Sequence, residues 1–373
     1  MRPSIRAAAL FKGVGFSLPA FMAGQTDGFW YDFAKTDRQF QENVGPTPAD
    51  DPNEVIGLAL DQRSWNGQTL AQVLSAQTDL IANTWTDAST APATFVFSSG
   101  VGTLTADGAN RARARATIST VVGKTYCISA TFGGLGCELA VGSTLGGNQN
   151  LAPVGLLTGS LAYFFVATAT TTYIAITRLT AGVGTFSVAT TKLVPGSPAT
   201  QSSTSLKPKF QTTGAAFDGS DDYLSTPYAA GASDNFIVAK VKIPLASSGT
   251  RGIVGAAGGS TERFYLAMIS GGILTAGAGT QNPGTFQMPG DMRGVETVVG
   301  LSASGGIARL FRQGQPSVEA AYTGGLATTL PLFIGGINTS GVSSSFSDAT
   351  VKAVVAGREF IDLATFNKIA AAL

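Results

Sequence analysis

LAYFFVATATTTYIAIT (161–177) decides the fold class. It closes the longest stretch without a charged residue, Leu139 to Thr177. A membrane helix needs about 20 consecutive apolar residues, whereas Gly, Thr and Asn interrupt this run throughout. Its end is rich in Thr and in β-branched and aromatic side chains, which fit a half-buried pleated surface. The run therefore predicts strands. Around it FVFSSGVGTLTADG (95–108), RARARATIST (111–120), KTYCISATFGG (124–134), CELAVGS (137–143) and TFSVATTKLV (185–194) repeat the alternation, with Gly, Asn and Asp turns between them. That spacing is the mark of a sandwich or jelly roll.

Composition agrees. Of 373 residues, 44% are hydrophobic and 13% charged, about half the roughly 25% usual in globular domains. Glycine occurs 47 times, which suits many tight turns, while solvent-facing helices would want more Glu and Lys. Net charge is +1, too small a field to gather nucleic acid or an anionic membrane. Histidine is absent, removing the usual proton shuttle, the commonest zinc ligand and the base of most nucleophile triads. At the start of the chain, Lys12 and Pro19 interrupt the apolar run that a secretion signal would keep.

The expected organisation is an attachment segment over 1–26, an irregular segment over 27–67 that packs on a later domain, and a short amphipathic connector over 68–82. A jelly roll follows over 83–195, then a linker over 196–210 and a sandwich over 211–373. In the last zone FIDLATFNKIAAAL (360–373) spaces Phe360, Leu363, Phe366, Ile369 and Leu373 as one stripe of a terminal helix. In the first, Leu10, Phe11, Phe16, Leu18 and Phe21 would stand exposed together unless they attach to something. Gly133, Gly134 and Gly136 predict a hairpin centred near 134–135, with Cys137 opposite Phe132 and Cys127 about five residues further along. That offset is longer than a disulfide spans, so both cysteines should be free.

The zone from Phe217 onward resembles the laminin-G or concanavalin A-like lectin sandwich found on phage particles. The resemblance is carried by FDGSDDYLSTP (217–227), RFYLAMISGGILTAGAG (263–279), VVGLSASGGIARLFRQGQPSV (298–318) and LFIGGINTSG (332–341). The zone before it is similar to carbohydrate-binding jelly rolls, through GKTYCISATFGG (123–134), YFFVATATTTYIAI (163–176) and GTFSVATTKLV (184–194). GFWYDFAKTDRQFQENVGPTPADDPNEVIGLALDQRSWNG (28–67) resembles a segment of phage structural proteins in which the Leu-Asp-basic-Ser-x-Asn-Gly end runs straight into the lectin strand. Here roughly 130 residues intervene before ATQSSTSLKPKFQTTGAAFDG (199–219), which implies a jelly roll inserted at an exposed turn, where insertion costs little.

These resemblances imply an all-β protein of two sandwich domains with a short C-terminal helix. They imply a non-enzymatic virion component of a tailed phage or gene transfer particle: a fibre, spike or decoration protein, made in the host cytoplasm and extracellular as part of the particle. Its partners would be other virion proteins, host-surface polysaccharide and copies of itself, a trimer first, with neither nucleic acid nor membrane. A bacterial cell-surface adhesin module and a glycan-cleaving tailspike are the alternatives.

Candidate glycan-binding residues follow from chemistry. Arg111, Arg113 and Arg115 alternate with alanines, so a strand would set three guanidiniums on one face, able to grip acidic polysaccharide or a neighbouring subunit. Ordinary solvated surface is the plainer reading. Trp85, with Tyr163 and Tyr173, could stack on sugars or sit in the core. Asp218, Asp221 and Asp222 beside Tyr223 could bind sugar hydroxyls or Ca²⁺, or simply cap a turn. No other cofactor is expected, and seven glutamates without an E-x-D-x-x-E motif leave a paired-carboxylate hydrolase no obvious place.

Overall fold

The computed structural model describes residues 16–373 apart from 26, 43–46, 48, 66, 82–83, 282–283 and 328, and the backbone alone at 152–154. It is all-β, with a short C-terminal helix. Two compact units divide the chain: residues 1–39, 49–67 and 198–373 form one, and residues 40–48 and 68–197 the other.

The first unit packs two sheets face to face. In one, Thr350–Gly357 and Glu296–Ser304 flank Asn235–Lys242, and Gly28–Asp32 pairs antiparallel with Thr350–Gly357 from Gly28↔Gly357 to Asp32↔Ala353. In the other, Leu224–Ala229, Pro331–Ile334, Arg251–Ala257, Arg263–Ile269 and Ile273–Ala278 lie side by side. Alternate residues such as Ile237, Val241, Leu301 and Val354 meet Val254, Leu266, Leu274 and Ile334 in a continuous apolar core. This is the arrangement that alternation builds when one face of each sheet is buried.

The outer face of the first sheet is covered as well. Asp362 caps the helix Leu363–Ala372 by accepting the Thr365 N–H at 2.7 Å, and Phe366 stacks on Phe311 at 5.0 Å between ring centres. Of the predicted stripe, Phe366 and Ile369 are buried, and Phe360 lies against the Arg309 guanidinium at 4.7 Å. A second, short helix, Leu18–Ala23, joins this layer. Leu18 and Phe21 are therefore buried rather than exposed, packing with Trp30 and Phe236, because the sheet's outer apolar face needs a cover. Leu10 and Phe11 lie outside the described residues.

One further expectation changes. Part of 196–210 is strand: Ala199–Thr200 pairs with Leu58–Ala59, and Ala199 and Gln201 are buried, so this stretch is built into a sheet. The helix near 70 spans Leu70–Ser75 under a capping box of Thr69 and Gln72.

The second unit is one sheet in the order Thr86–Asp87, Ala112–Ser119, Thr171–Arg178, Thr125–Gly142, Gly182–Val194, Val101–Ala106, Thr94–Ser98, with Leu151–Val166 also on Thr125–Gly142. Its apolar side gathers Phe95, Phe132, Phe165, Ile174 and Phe186. The hairpin expected at 134–135 is instead a kink in one strand, Thr125–Gly142, with φ of 64° at Gly134 and 80° at Gly136. The kink shifts the alternation: Tyr126, Ile128, Ala130 and Phe132 face the core before it, and Cys137, Leu139 and Val141 after it. Cys127 and Cys137 are both free, on either side of the kink, with pairing partners Phe164 and Leu157 seven positions apart on the neighbouring strand. Burial pushes their thiols up to about 12 and about 11.

Candidate functional site

The strand Ala112–Ser119 alternates strictly. Ala112, Ala114 and Ala116 are buried, while Arg113 and Arg115 are half-buried on the other face and Arg111, just before the strand, is exposed. Antiparallel register then builds a row across three strands, because Thr177 pairs with Arg113 on one side and with Glu138 on the other. Directly paired residues share a face, so Arg113, Thr177 and Glu138 line up, with the Cα atoms of the two charged residues about 10 Å apart over two strand spacings.

A loop turns this row into a pocket. Residues 143–149 fold back over the sheet because Gly142 carries no Cβ: an added Cβ would sit 2.3 Å from the carbonyl carbon of Gly147. Gln149 holds the loop closed, accepting the Ser143 N–H at 3.0 Å and donating to Thr144 Oγ1 at 3.2 Å. The cleft this leaves is about 150 Å³, with Thr177 and Ala175 as its floor and Arg113, Glu138, Gly146 and Asn148 around it.

Its chemistry is mixed. Arg113 Nε donates to Thr177 Oγ1 at 3.1 Å, which leaves that hydroxyl's own hydrogen to donate elsewhere. Burial, then the charges of Arg111 and Arg115, push the Arg113 guanidinium below its ordinary pKa, and Glu138 pulls the other way. Arg115 Nε is buried and has no hydrogen-bond partner. The site thus offers cationic forks, a hydroxyl, an amide and one carboxylate, the groups that hold a polyhydroxylated or anionic ligand.

The remaining candidates do not join this site. Trp85 is half-buried and packed against Phe186 at 4.8 Å at the edge of the core, and Tyr163, 4% exposed, belongs to the core of the unit. Tyr173 is half-buried and shares the strand face of Ala175 and Thr177. In the other unit, Tyr223 stacks on Phe333 at 4.5 Å, which occupies one face of its ring. Carboxylate oxygens of Asp218, Asp221 and Asp222 lie within 4.8 Å of one another. Asp218 Oδ1 accepts the N–H groups of Ser220 at 2.8 Å and Asp221 at 3.3 Å, and Asp222 Oδ2 accepts that of Asp218 at 3.0 Å. Those bonds build the turn, so the plainer turn-capping reading accounts for the cluster. Burial and the neighbouring Asp218 push the Asp222 carboxyl up to about 7.

Sequence reasoning found the arginines and missed Glu138, Thr177, Asn148 and the loop. The available signal was STLGGNQN (143–150), a Gly- and Asn-rich stretch between two strand patterns. Which strand would lie beside Ala112–Ser119, and in what register, is a matter of pairing across more than 50 residues.

No family model matches the chain, and no curated protein matches it in sequence. Among solved structures, it is similar to the Ruminococcus gnavus IT-sialidase CBM40 bound to α2,3-sialyllactose, at 15% identity and a TM-score of 0.31 over 38% of this chain and 83% of that one. It is also similar to the Trypanosoma rangeli sialidase in complex with sialic acid, at 12% identity and a TM-score of 0.38 over 74% of this chain and 61% of that one. At such scores nothing functional is drawn from either.

Proposed function

We infer that this chain binds a host-surface glycan and leaves it intact, as a surface component of a tailed-phage or gene transfer particle. The observation that carries the binding is the Arg113–Thr177–Glu138 row under the 143–149 loop, a concave polar site on the arginine face of the sheet. The virion setting is supported by the sequence resemblances of 28–67 and 217–373. Absence of cutting is supported by the pocket's make-up: glycosidases commonly flank the scissile bond with two carboxyl groups, and this lining includes one, Glu138. A single shallow site binds weakly, so adhesion would come from many copies on one particle.

The test is to incubate the full chain with capsule polysaccharide and lipopolysaccharide, and to measure both retention and glycan chain length. Retention with unchanged length is expected, and Gly142→Ala, which pushes the loop off the sheet, should weaken it while the β-rich circular dichroism persists. Shortened glycans would make the protein an enzyme. Absence of retention on every host glycan would reduce it to a scaffold.

A further inference from the structure

The arginines differ in what they meet: among the described residues Arg38 lies 3.4 Å from Asp37, and Arg63, in the other unit from the 111–115 ladder, has a buried Nη1 with no hydrogen-bond partner. Among the described residues, Arg251, Arg293, Arg309 and Arg358 each meet a carboxylate, at 3.7, 2.7, 2.6 and 2.9 Å. Arg178, Arg263 and Arg312 donate to backbone carbonyls instead, Arg178 to Leu135 O at 2.7 Å and Gly136 O at 2.8 Å. Among the described residues, Arg111, Arg113 and Arg115 do neither with their terminal nitrogens: none forms an ion pair, and the side-chain bond they make is Arg113 Nε to Thr177. They stand two residues apart, about 6.7 Å along one strand, close enough that Arg111 and Arg115 disfavour the charge on Arg113. Among the described residues, folding holds three like charges on one face with no ion pair, and Glu138 alone offsets the charge of Arg113.

We propose that the partner of these unpaired guanidinium ends is the carboxylate of an acidic polysaccharide, whose chain lies along Ala112–Ser119 with one acidic sugar seated in the Arg113 pocket. This rests on the glycan-binding reading above and names its ligand class. The planar guanidinium fork matches a carboxylate through two parallel hydrogen bonds. Thr177, Asn148 and Glu138 supply a donor, an amide and an acceptor for the ring hydroxyls. Glu138 argues against a denser polyanion, since a nucleic acid or a polyphosphate would bring repeated charge against it. The cavity of about 150 Å³ is smaller than the roughly 300 Å³ of a drug-sized site, so it takes one ring of a longer ligand. Arg111 and Arg115 then meet the acidic groups of neighbouring sugars.

Calorimetry on the full chain tests this with a panel of uronate-bearing and other carboxylated oligosaccharides, each paired with its carboxyl-reduced form. At least one carboxylated member should bind roughly tenfold or more tightly than its reduced form, with affinity falling as salt rises. Arg113→Ala should abolish that preference, and Arg113→Lys, which keeps the charge and loses the fork, should weaken it several-fold. Equal binding of both forms, with amide shifts confined to residues 143–149, would overturn the acidic class and leave glycan binding standing. Failure of every acidic and neutral glycan would sink both readings. Unchanged affinity in Arg113→Ala, or tighter binding of polyglutamate than of any oligosaccharide, would also overturn the proposal.

Discussion

Asn235–Lys242 in one unit and Ala112–Ser119 in the other are strands of equal length with opposite fates for their second face. NFIVAKVK is buried on both sides across most of its length, because Leu363–Ala372 and Leu18–Ala23 roof its outer face. ARARATIS buries only its alanines and the isoleucine, and among the described residues its arginine face meets the 143–149 loop and no helix. The residues foretell this: Phe236 and Val238 need an apolar roof, whereas an arginine face can stand in water. The difference teaches where a ligand can approach. A face roofed by the chain's own helix serves stability, and a face left open but built with converging polar groups serves binding.

The largest effect should come from breaking the roof. Phe366 is fully buried, stacked on Phe311, and so close to the sheet that a Cβ on Gly300 would lie 3.0 Å from its ring. Phe366→Ala leaves a cavity that neither the flat sheet nor the capped helix can collapse into, and should cost about 3–5 kcal/mol in chemical denaturation. A cost below about 1 kcal/mol would show that the helix is an ornament. Binding at the second unit's pocket should be unaffected in the protein that stays folded.

Next comes a pH effect confined to the roofed unit. Asp222 is 5% exposed, its carboxyl raised to about 7 by burial, by Asp218 and by Asp221, against the lowering effects of the Asp218 N–H bond and of Lys209. A carboxyl whose folded pKa is raised binds its proton more tightly when folded. Its contribution is therefore full below the unfolded value near 4 and is lost as pH rises through 7. At about 1.4 kcal/mol per unit, the wild type should lose about 2–3 kcal/mol relative to Asp222→Asn between pH 5 and pH 8. Asparagine keeps an oxygen for the Asp218 N–H. Parallel stability curves for the two proteins over that range would mean that Asp222 titrates as an ordinary surface carboxylate.

Legibility followed the same division. Alternation in RARARATIS and NFIVAKVK is local, so strand identity and the arginine face could be read directly, as could the Phe366–Ile369 stripe. Where glycines intervene, the local reading failed: Gly133, Gly134 and Gly136 look like a hairpin turn and instead shift the face of one continuous strand. The Asp218–Asp222 turn was readable as a cap because Asx bonding spans two to four residues. The pocket was not, since Arg113, Thr177 and Glu138 meet only through long-range register, and the 143–149 loop closes only because Gly142 leaves room for Gly147. Trp85 shows the limit of residue type alone: a lone tryptophan is more often core than sugar platform, and this one is half-buried against Phe186.

The smallest effect is the most telling about the open face. Arg115 is half-buried, its Nε lacks any partner, and its charge stands beside that of Arg113. A buried unsatisfied donor and an uncompensated like charge both weigh against the folded state, while the aliphatic stem contributes packing. Arg115→Met keeps the stem and removes the other two, so stability should hold or rise by up to about 1 kcal/mol. On the roofed unit a comparable loss of a charged group goes the other way: Arg309→Met removes a 2.6 Å pair with Glu319 and the contact with Phe360, and should destabilise slightly. The two variants measured side by side in urea test whether the ladder is kept for binding. If Arg115→Met instead costs more than about 1 kcal/mol, the arginine is holding the strand in place, and its unpaired charge needs no ligand to explain it.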